Sequence, residues 1–202
     1  MVSVLVPSSR WPRWCENFER GHGPTTYRVA DGVLLGAAED GSHATARLPY
    51  GAVYDGPATP GDLVAALVVP GDWGVLLVRK GGFAMARMKG AAMGESKTGQ
   101  RHVQGRTKAG GQSQQRFARR RDNQARQAYE ATAEHAVRIL GDCRGPVVTG
   151  GDHAAVGEVL GDPRLSRLRV VDPWLAVPDP RRGVLEQSVI DAGAIQVDVT
   201  NA

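Results

Sequence analysis

Two glycines and a glutamine, Gly110-Gly111-Gln112, are the residues of this chain best suited to chemistry. They stand in the run Lys108-Ala109-Gly110-Gly111-Gln112-Ser113-Gln114-Gln115-Arg116-Phe117-Ala118-Arg119-Arg120-Arg121. Adjacent glycines accept φ > 0 and let the main chain approach a ligand with no Cβ in between. A glutamine side chain brings one acceptor and two donors without a charge, so it can orient a water or an alcohol but cannot ionise. The backbone N–H of Gln112 is a donor for the oxygen charge that develops when an acyl group is attacked. The arginines that follow specify a polyanionic ligand. Hydrolysis of an ester attached to RNA would use all of these features. It would need no protein acid or base if substrate and RNA groups moved the proton. Gln112, Gly111 and Gly110 are therefore the candidate catalytic residues. The plainer reading of the same three residues is a glycine turn in front of a helix, with Ser113 as N-cap.

The charge distribution favours the first reading. Residues 79–126 hold thirteen Lys and Arg against two acids, Glu95 and Asp122, a balance of +11. The other twelve basic and nineteen acidic residues leave the rest of the chain at −7. A basic segment on a mildly acidic body points to nucleic acid or an anionic surface. Arg116, Arg119, Arg120 and Arg121 after the loop, and Lys97, Arg101, Arg106 and Lys108 before it, are the candidate RNA-binding residues. Positions 116, 119 and 120 share a helix face and would form one cationic stripe. The amino terminus of that helix adds free N–H groups and a favourable dipole for anions. The alternative is a solvated helix face, which charge runs commonly are.

Other residues carry weaker signals. Gly150-Gly151-Asp152 after an apolar run resembles a phosphate loop only superficially, because the P-loop lysine and the dinucleotide-fold glycine spacing are missing. A strand-to-helix turn with Asp152 as N-cap is the expectation. His22, His43, His102, His135 and His153 show no ligand spacing, so neither a metal site nor another cofactor is expected. Asp152, Asp172 and Asp191 are the carboxylates a metal-dependent nuclease would use, without a convincing spacing. Trp11, Trp14, Trp73 and Trp174 read as packing residues.

The elements that must position this loop follow from the hydrophobic pattern. At 202 residues the chain is one ordinary domain with room for a small subdomain. Cys15 and Cys143 read as reduced thiols, and no apolar run approaches a signal-peptide core or a membrane span, so a soluble cytoplasmic monomer is expected. Residues 11–20 form a short helix and residues 25–48 a β-meander with turns at Asp31-Gly32 and Asp40-Gly41. A Gly- and Pro-rich loop follows, then a short helix or strand over residues 62–69, with a boundary near residue 70. Residues 73–79 make a buried strand that pairs with residues 83–88. Residues 89–111 are an extended, poorly self-burying excursion. The longest helix spans residues 113–140, with Phe117, Ala125, Ala128, Thr132, Ala136 and Ile139 on one face. Strands at 147–149, 168–171 and 195–199 alternate with helices at 153–160 and 183–191, an α/β arrangement. The division is thus 1–70, a helix plus β-meander subdomain, and 71–202, the domain that carries the loop.

Gly110-Gly111-Gln112-Ser113 followed by Arg116-Phe117-Ala118-Arg119 resembles the catalytic loop and following helix of eukaryotic and archaeal class-1 peptide-release factors. The strand pair at 75–79 and 83–88 is similar to the middle domain of those factors. Lys97-Thr98-Gly99-Gln100-Arg101-His102 through Lys108 looks closer to the Vms-like release factors of ribosome quality control, whose actinobacterial members are short single-domain proteins. The resemblance covers about residues 70–200. It implies an RNase H-like α/β middle domain with a mixed sheet. It also implies peptidyl-tRNA hydrolysis at the peptidyl-transferase centre of the large ribosomal subunit, with Gln112 as the catalytic glutamine. No stop-codon-reading domain is recognisable, so release from stalled large subunits is expected rather than termination. A nuclease cutting tRNA near its 3′ end and a non-catalytic ribosome- or RNA-binding module are the competing readings.

Overall fold

The computed structural model describes the backbone of residues 1–100 and 112–202, and the side chains of these residues except 112–123 and 125. The chain divides into two compact units, each α/β in composition. One holds Met1–Val69, Val171–Pro173 and Val189–Ala202; the other holds Pro70–Val170 and Trp174–Ser188.

The first unit begins with β1 (Val2–Val6) and α1 (Trp11–His22). Pro12 sits in the first turn of α1, where its missing N–H costs nothing. Trp11, Cys15 and Phe18 recur at helical spacing and bury one stripe. Burial pushes the Cys15 thiol up to about 12, with Glu19 adding to the shift, so this thiol stays protonated at neutral pH. β2 (Thr25–Ala30), β3 (Val33–Ala38) and β4 (His43–Arg47) form the expected meander. Asp31 and Gly32 both take positive φ (52° and 77°), the requirement of a tight two-residue hairpin turn. A short helix, α2 (Pro60–Ala65), is capped by Thr59, whose hydroxyl accepts from the Asp62 N–H.

The second unit is built on β5 (Trp73–Arg79), whose first six residues are all buried. That run reads as a strand covered on both faces. β5 pairs antiparallel with β6 (Gly82–Lys89), which pairs antiparallel with β7 (Ala92–Gln100). On its other side β5 pairs parallel with β8 (Pro146–Gly151). β9 (Arg169–Leu175) completes the order β7-β6-β5-β8-β9, a mixed sheet. Between β7 and β8 runs α3 (Gln112–Leu140), 29 residues long. α4 (His153–Leu160) follows β8, and α5 (Arg182–Ala192) leads to β10 (Ile195–Thr200). The core gathers Leu76, Val78 and Met85 from the sheet with Ala136, Ile139 and Leu140 from α3 and Val156 and Val159 from α4. No described helix is long and apolar enough to cross a membrane.

Three elements depart from the sequence reading. Residues 89–111 were expected to be an extended, poorly self-burying excursion; Ala92–Gln100 is indeed extended, but as a strand at the edge of the sheet among the described residues, a pairing the sequence reading did not anticipate. It was hidden because an edge strand with little buried surface shows no apolar alternation. Val2–Val6, an apolar run too short for a signal-peptide core and not expected as a strand, pairs with β10. β10 was expected with the second half; it lies instead between β1 and β4 of the first sheet, in the order β1-β10-β4-β3-β2. Ile195 and Val197 are fully buried in the first unit's core beside Val6, Leu34 and Ala46.

Candidate active site and its supporting helix

α3 begins at Gln112, so the glutamine is the first residue of the longest helix and Ser113 lies inside its first turn rather than at its N-cap. Gly110, Gly111, Lys108, Arg106 and Arg101 fall outside the described residues. The backbone of Arg116, Arg119, Arg120 and Arg121 lies in the first half of α3, which puts residues 116, 119 and 120 on one helical face. Lys97 is exposed on β7.

The carboxy-terminal half of α3 is the anchor. Thr132, Ala133, Ala136, Ile139 and Leu140 are buried, and Tyr129 and Val137 pack beside them. Of the face expected from the sequence, Thr132, Ala136 and Ile139 are buried and Ala128 is partly so. The side chains of Phe117 and Ala125 lie outside the described set. The buried Thr132 hydroxyl donates to the Ala128 carbonyl one turn back (2.8 Å), so it is satisfied within the helix. His135 stacks with Phe83 of β6 at 5.5 Å between ring centroids. Arg138 pairs with Glu95 of β7. Arg164, on the short turn after α4, donates to Glu134 (2.6 Å) and Asp162 (2.7 Å), and holds the Asp162 carboxyl down to about 2. Gln112 lies seventeen residues before Tyr129, which at the helical rise is about 25 Å along the axis. The candidate catalytic residue is thus carried on a helix whose distal end is held by packing, stacking and ion pairs.

Below α3, Asp72 organises the start of β5. It accepts from Arg87 in a two-pronged arrangement (2.8 and 3.1 Å), from Lys89 (3.3 Å) and from the Arg144 N–H (3.1 Å). Arg87 also pairs with Asp142, just past the end of α3. These donors hold the Asp72 carboxyl well below the usual carboxylate range, the Arg87 guanidinium being the largest cause. Nothing in the sequence pattern pointed to this cluster, because its members are spread over residues 72 to 144.

Asp152 is the cap of α4, accepting from the N–H groups of Ala154 (2.9 Å) and Ala155 (3.2 Å), as expected. It stands in the second unit, whereas Asp172 and Asp191 belong to the first. Among the described residues no three His, Cys, Asp or Glu side chains come together in a group that could hold a metal ion.

A sequence model described as the Actinobacteria/chloroflexi VLRF1 release factor matches residues 71–198. No curated protein sequence matches the chain. Among solved structures, one described as the Vms1 mitochondrial localization core aligns with a TM-score of 0.43 and 11% identity, over 91% of this chain and 81% of that one. Pelota from Archaeoglobus fulgidus aligns with a TM-score of 0.32 and 11% identity, over 94% of this chain and 62% of that one. At such scores neither structural likeness carries weight here. The family match takes in the strand pair β5–β6, the Gly110-Gly111-Gln112 run and the whole of α3, and the chain belongs to the Actinobacteria/chloroflexi VLRF1 release factor family.

Proposed function

We propose that this protein is a peptidyl-tRNA hydrolase that releases nascent chains from stalled large ribosomal subunits in the cytoplasm, without reading a codon. One observation carries the reading: Gly110-Gly111-Gln112 leads directly into α3, so that Gln112 opens a 29-residue helix whose far end is packed on the sheet. In the proposed reaction a water oxygen attacks the ester carbonyl. The bond to the 3′ oxygen of the tRNA breaks, and the proton released by the water passes to that oxygen. The Gln112 N–H stabilises the developing oxyanion and its side-chain amide places the water. Gly110 and Gly111 give the backbone room to approach the ester. Arg116, Arg119, Arg120 and Arg121, with Lys97, Arg101, Arg106 and Lys108, neutralise RNA phosphates around the peptidyl-transferase centre. The strand order of the second sheet, three-two-one-four-five counted from β5, with β8 parallel to β5, supports reading this unit as an RNase H-like middle domain. The choice of stalled subunits rests on the likeness of the Lys97–Lys108 stretch to quality-control release factors.

The test is to incubate the protein with stalled large subunits carrying peptidyl-tRNA and follow peptide release. Release by the wild type and its loss in Gln112→Ala is the expected result. Undiminished release by Gln112→Ala would remove Gln112 from the chemistry. The tRNA should run at full length on a denaturing gel; a shortened tRNA would mark the protein as a nuclease. Salt-sensitive binding with no release would leave it a binding module.

A further inference from the structure

A cavity of about 220 Å³ opens between the β6–β7 hairpin and the middle of α3. This is below the roughly 300–1,000 Å³ of a drug-sized site, so it suits a single ring with its polar substituents rather than a dinucleotide. Arg79, Lys80 and Lys97 bring three cations to its lining, and Phe83, Tyr129 and His135 bring three rings. Among the described residues no carboxylate lines it. Lys80 and Lys97 are exposed, and among the described residues Arg79 donates to a neutral partner, the Val177 carbonyl (2.8 Å). Burial, and then Asp152 and Glu158 from outside the cavity, push the Tyr129 hydroxyl up, so it stays uncharged. An anion is therefore drawn to the Arg79–Lys80–Lys97 side rather than to that hydroxyl.

The backbone is fitted to hold one of these rings. Phe83 faces Gly99 across the β6–β7 ladder, and a Cβ at Gly99 would lie 2.4 Å from the Phe83 ring. The ring is thus laid over bare backbone, with His135 stacked beside it. Three rings flanked by three cations, with no acidic partner for those cations among the described residues, match a heteroaromatic base that carries a phosphate. Gln100, at the cavity edge, adds neutral donors and an acceptor for the base edge.

We propose that this cavity is a nucleotide-binding subsite, taking one unstacked base against Phe83, Tyr129 and His135 and its phosphate at Arg79, Lys80 and Lys97. The choice of an RNA strand, rather than a free nucleotide, as the source rests on the proposed release activity; the nucleotide chemistry does not.

Two probes separate the sources: uridine or adenosine 5′-monophosphate alone, and a six-nucleotide single-stranded RNA containing 4-thiouridine, each added to the full chain. Irradiation should cross-link the RNA to peptides bearing Phe83, Tyr129 or His135. Tyr129→Leu, which keeps apolar bulk but removes the ring, should weaken RNA binding by roughly 5- to 150-fold, the range for loss of one stacked base. Lys80→Glu should weaken it by about ten-fold and reduce its salt dependence, and Lys80→Arg should restore both. Mononucleotides that bind as tightly as the hexamer would keep the subsite and make its ligand a free nucleotide. Cross-links confined to other peptides, with binding unchanged by Lys80→Glu and Tyr129→Leu, would overturn the proposal. Each readout is independent of ester cleavage, so Gln112→Ala should cross-link like the wild type whether or not it still releases peptide.

Discussion

At the scale of single residues, two of the chain's glycine pairs, Gly110-Gly111 and Gly150-Gly151, look alike in sequence and are read differently. Gly150 lies in β8, where a Cβ would meet the Leu175 carbonyl oxygen at 2.3 Å. Gly151 has a φ of 105°, and a Cβ there would meet the Val78 carbonyl oxygen at the same 2.3 Å. Backbone atoms inside a sheet cannot step aside, so this pair is glycine because neighbouring strands approach closely. We expect Gly150→Ala to lower unfolding stability by about 3 kcal/mol, measured as a fall in the denaturant midpoint. In the proposed function Gly110 and Gly111 serve the substrate instead. Gly111→Ala is expected to leave the denaturation midpoint within experimental scatter while reducing peptide release at least ~100-fold, the magnitude for a lost oxyanion donor. If the two variants exchanged phenotypes, with Gly150→Ala stable and Gly111→Ala unfolded, the assignment would be reversed. The sequence could not separate the pairs, because what distinguishes Gly150 is the carbonyl of a residue 25 positions away. What distinguished Gly110-Gly111 was the local run into Arg116-Phe117-Ala118-Arg119.

At the scale of elements, the proposed function asks that the distal end of α3 be fixed, and the Asp72 cluster ties the turn after α3 to β6. Through Arg87 it joins the chain before β5 to β6 and, by way of Asp142, to the turn after α3. The Asp72 carboxyl titrates below its ordinary value of 3.8 in the fold. A carboxyl whose pKa is depressed by folding contributes stability that is fully present above the ordinary value and is lost as pH falls through the folded one. Stability should therefore decline as pH drops below about 4. Asp72→Asn should be less stable at neutral pH by about 2 kcal/mol and show a shallower decline between pH 4 and pH 2, both read from denaturant melts. Equal slopes for the two proteins would remove Asp72 from the acid response. Such a cluster is not legible in a sequence, since its attraction is set by a fold that brings residues 72, 87 and 142 together. The pairing of β7 was illegible for a different reason: among the described residues it has a neighbour on one edge only, and most of its side chains face water, so it shows no apolar alternation. The buried strands and the amphipathic half of α3 could be read, because burial on a regular element imposes its period on the residues.

At the scale of the whole molecule, the chain's last strand closes its first sheet. β10 pairs with β1 on one side and β4 on the other, a central position, and it buries Ile195 and Val197 in the core that holds Val6, Trp11 and Leu34. The family match over residues 71–198 takes in Ile195–Asp198 of β10 but neither of its partner strands. A fragment that follows the match would carry a strand with two open ladder edges and an uncovered apolar face, the features that drive edge-to-edge association. A chain shortened before Ile195 would lose a central strand from a five-stranded sheet and leave β1 with no partner. We therefore expect residues 71–202 alone to associate, and a chain ending at residue 193 to expose the first unit's core. Size-exclusion chromatography with binding of a hydrophobic dye reports both. A fragment 71–202 that runs as a monomer, melts cooperatively and binds no dye would show that β10 does not need the first sheet. Residues 1–69 thus have at least one definite role: they supply β1 and β4, the two partners of β10.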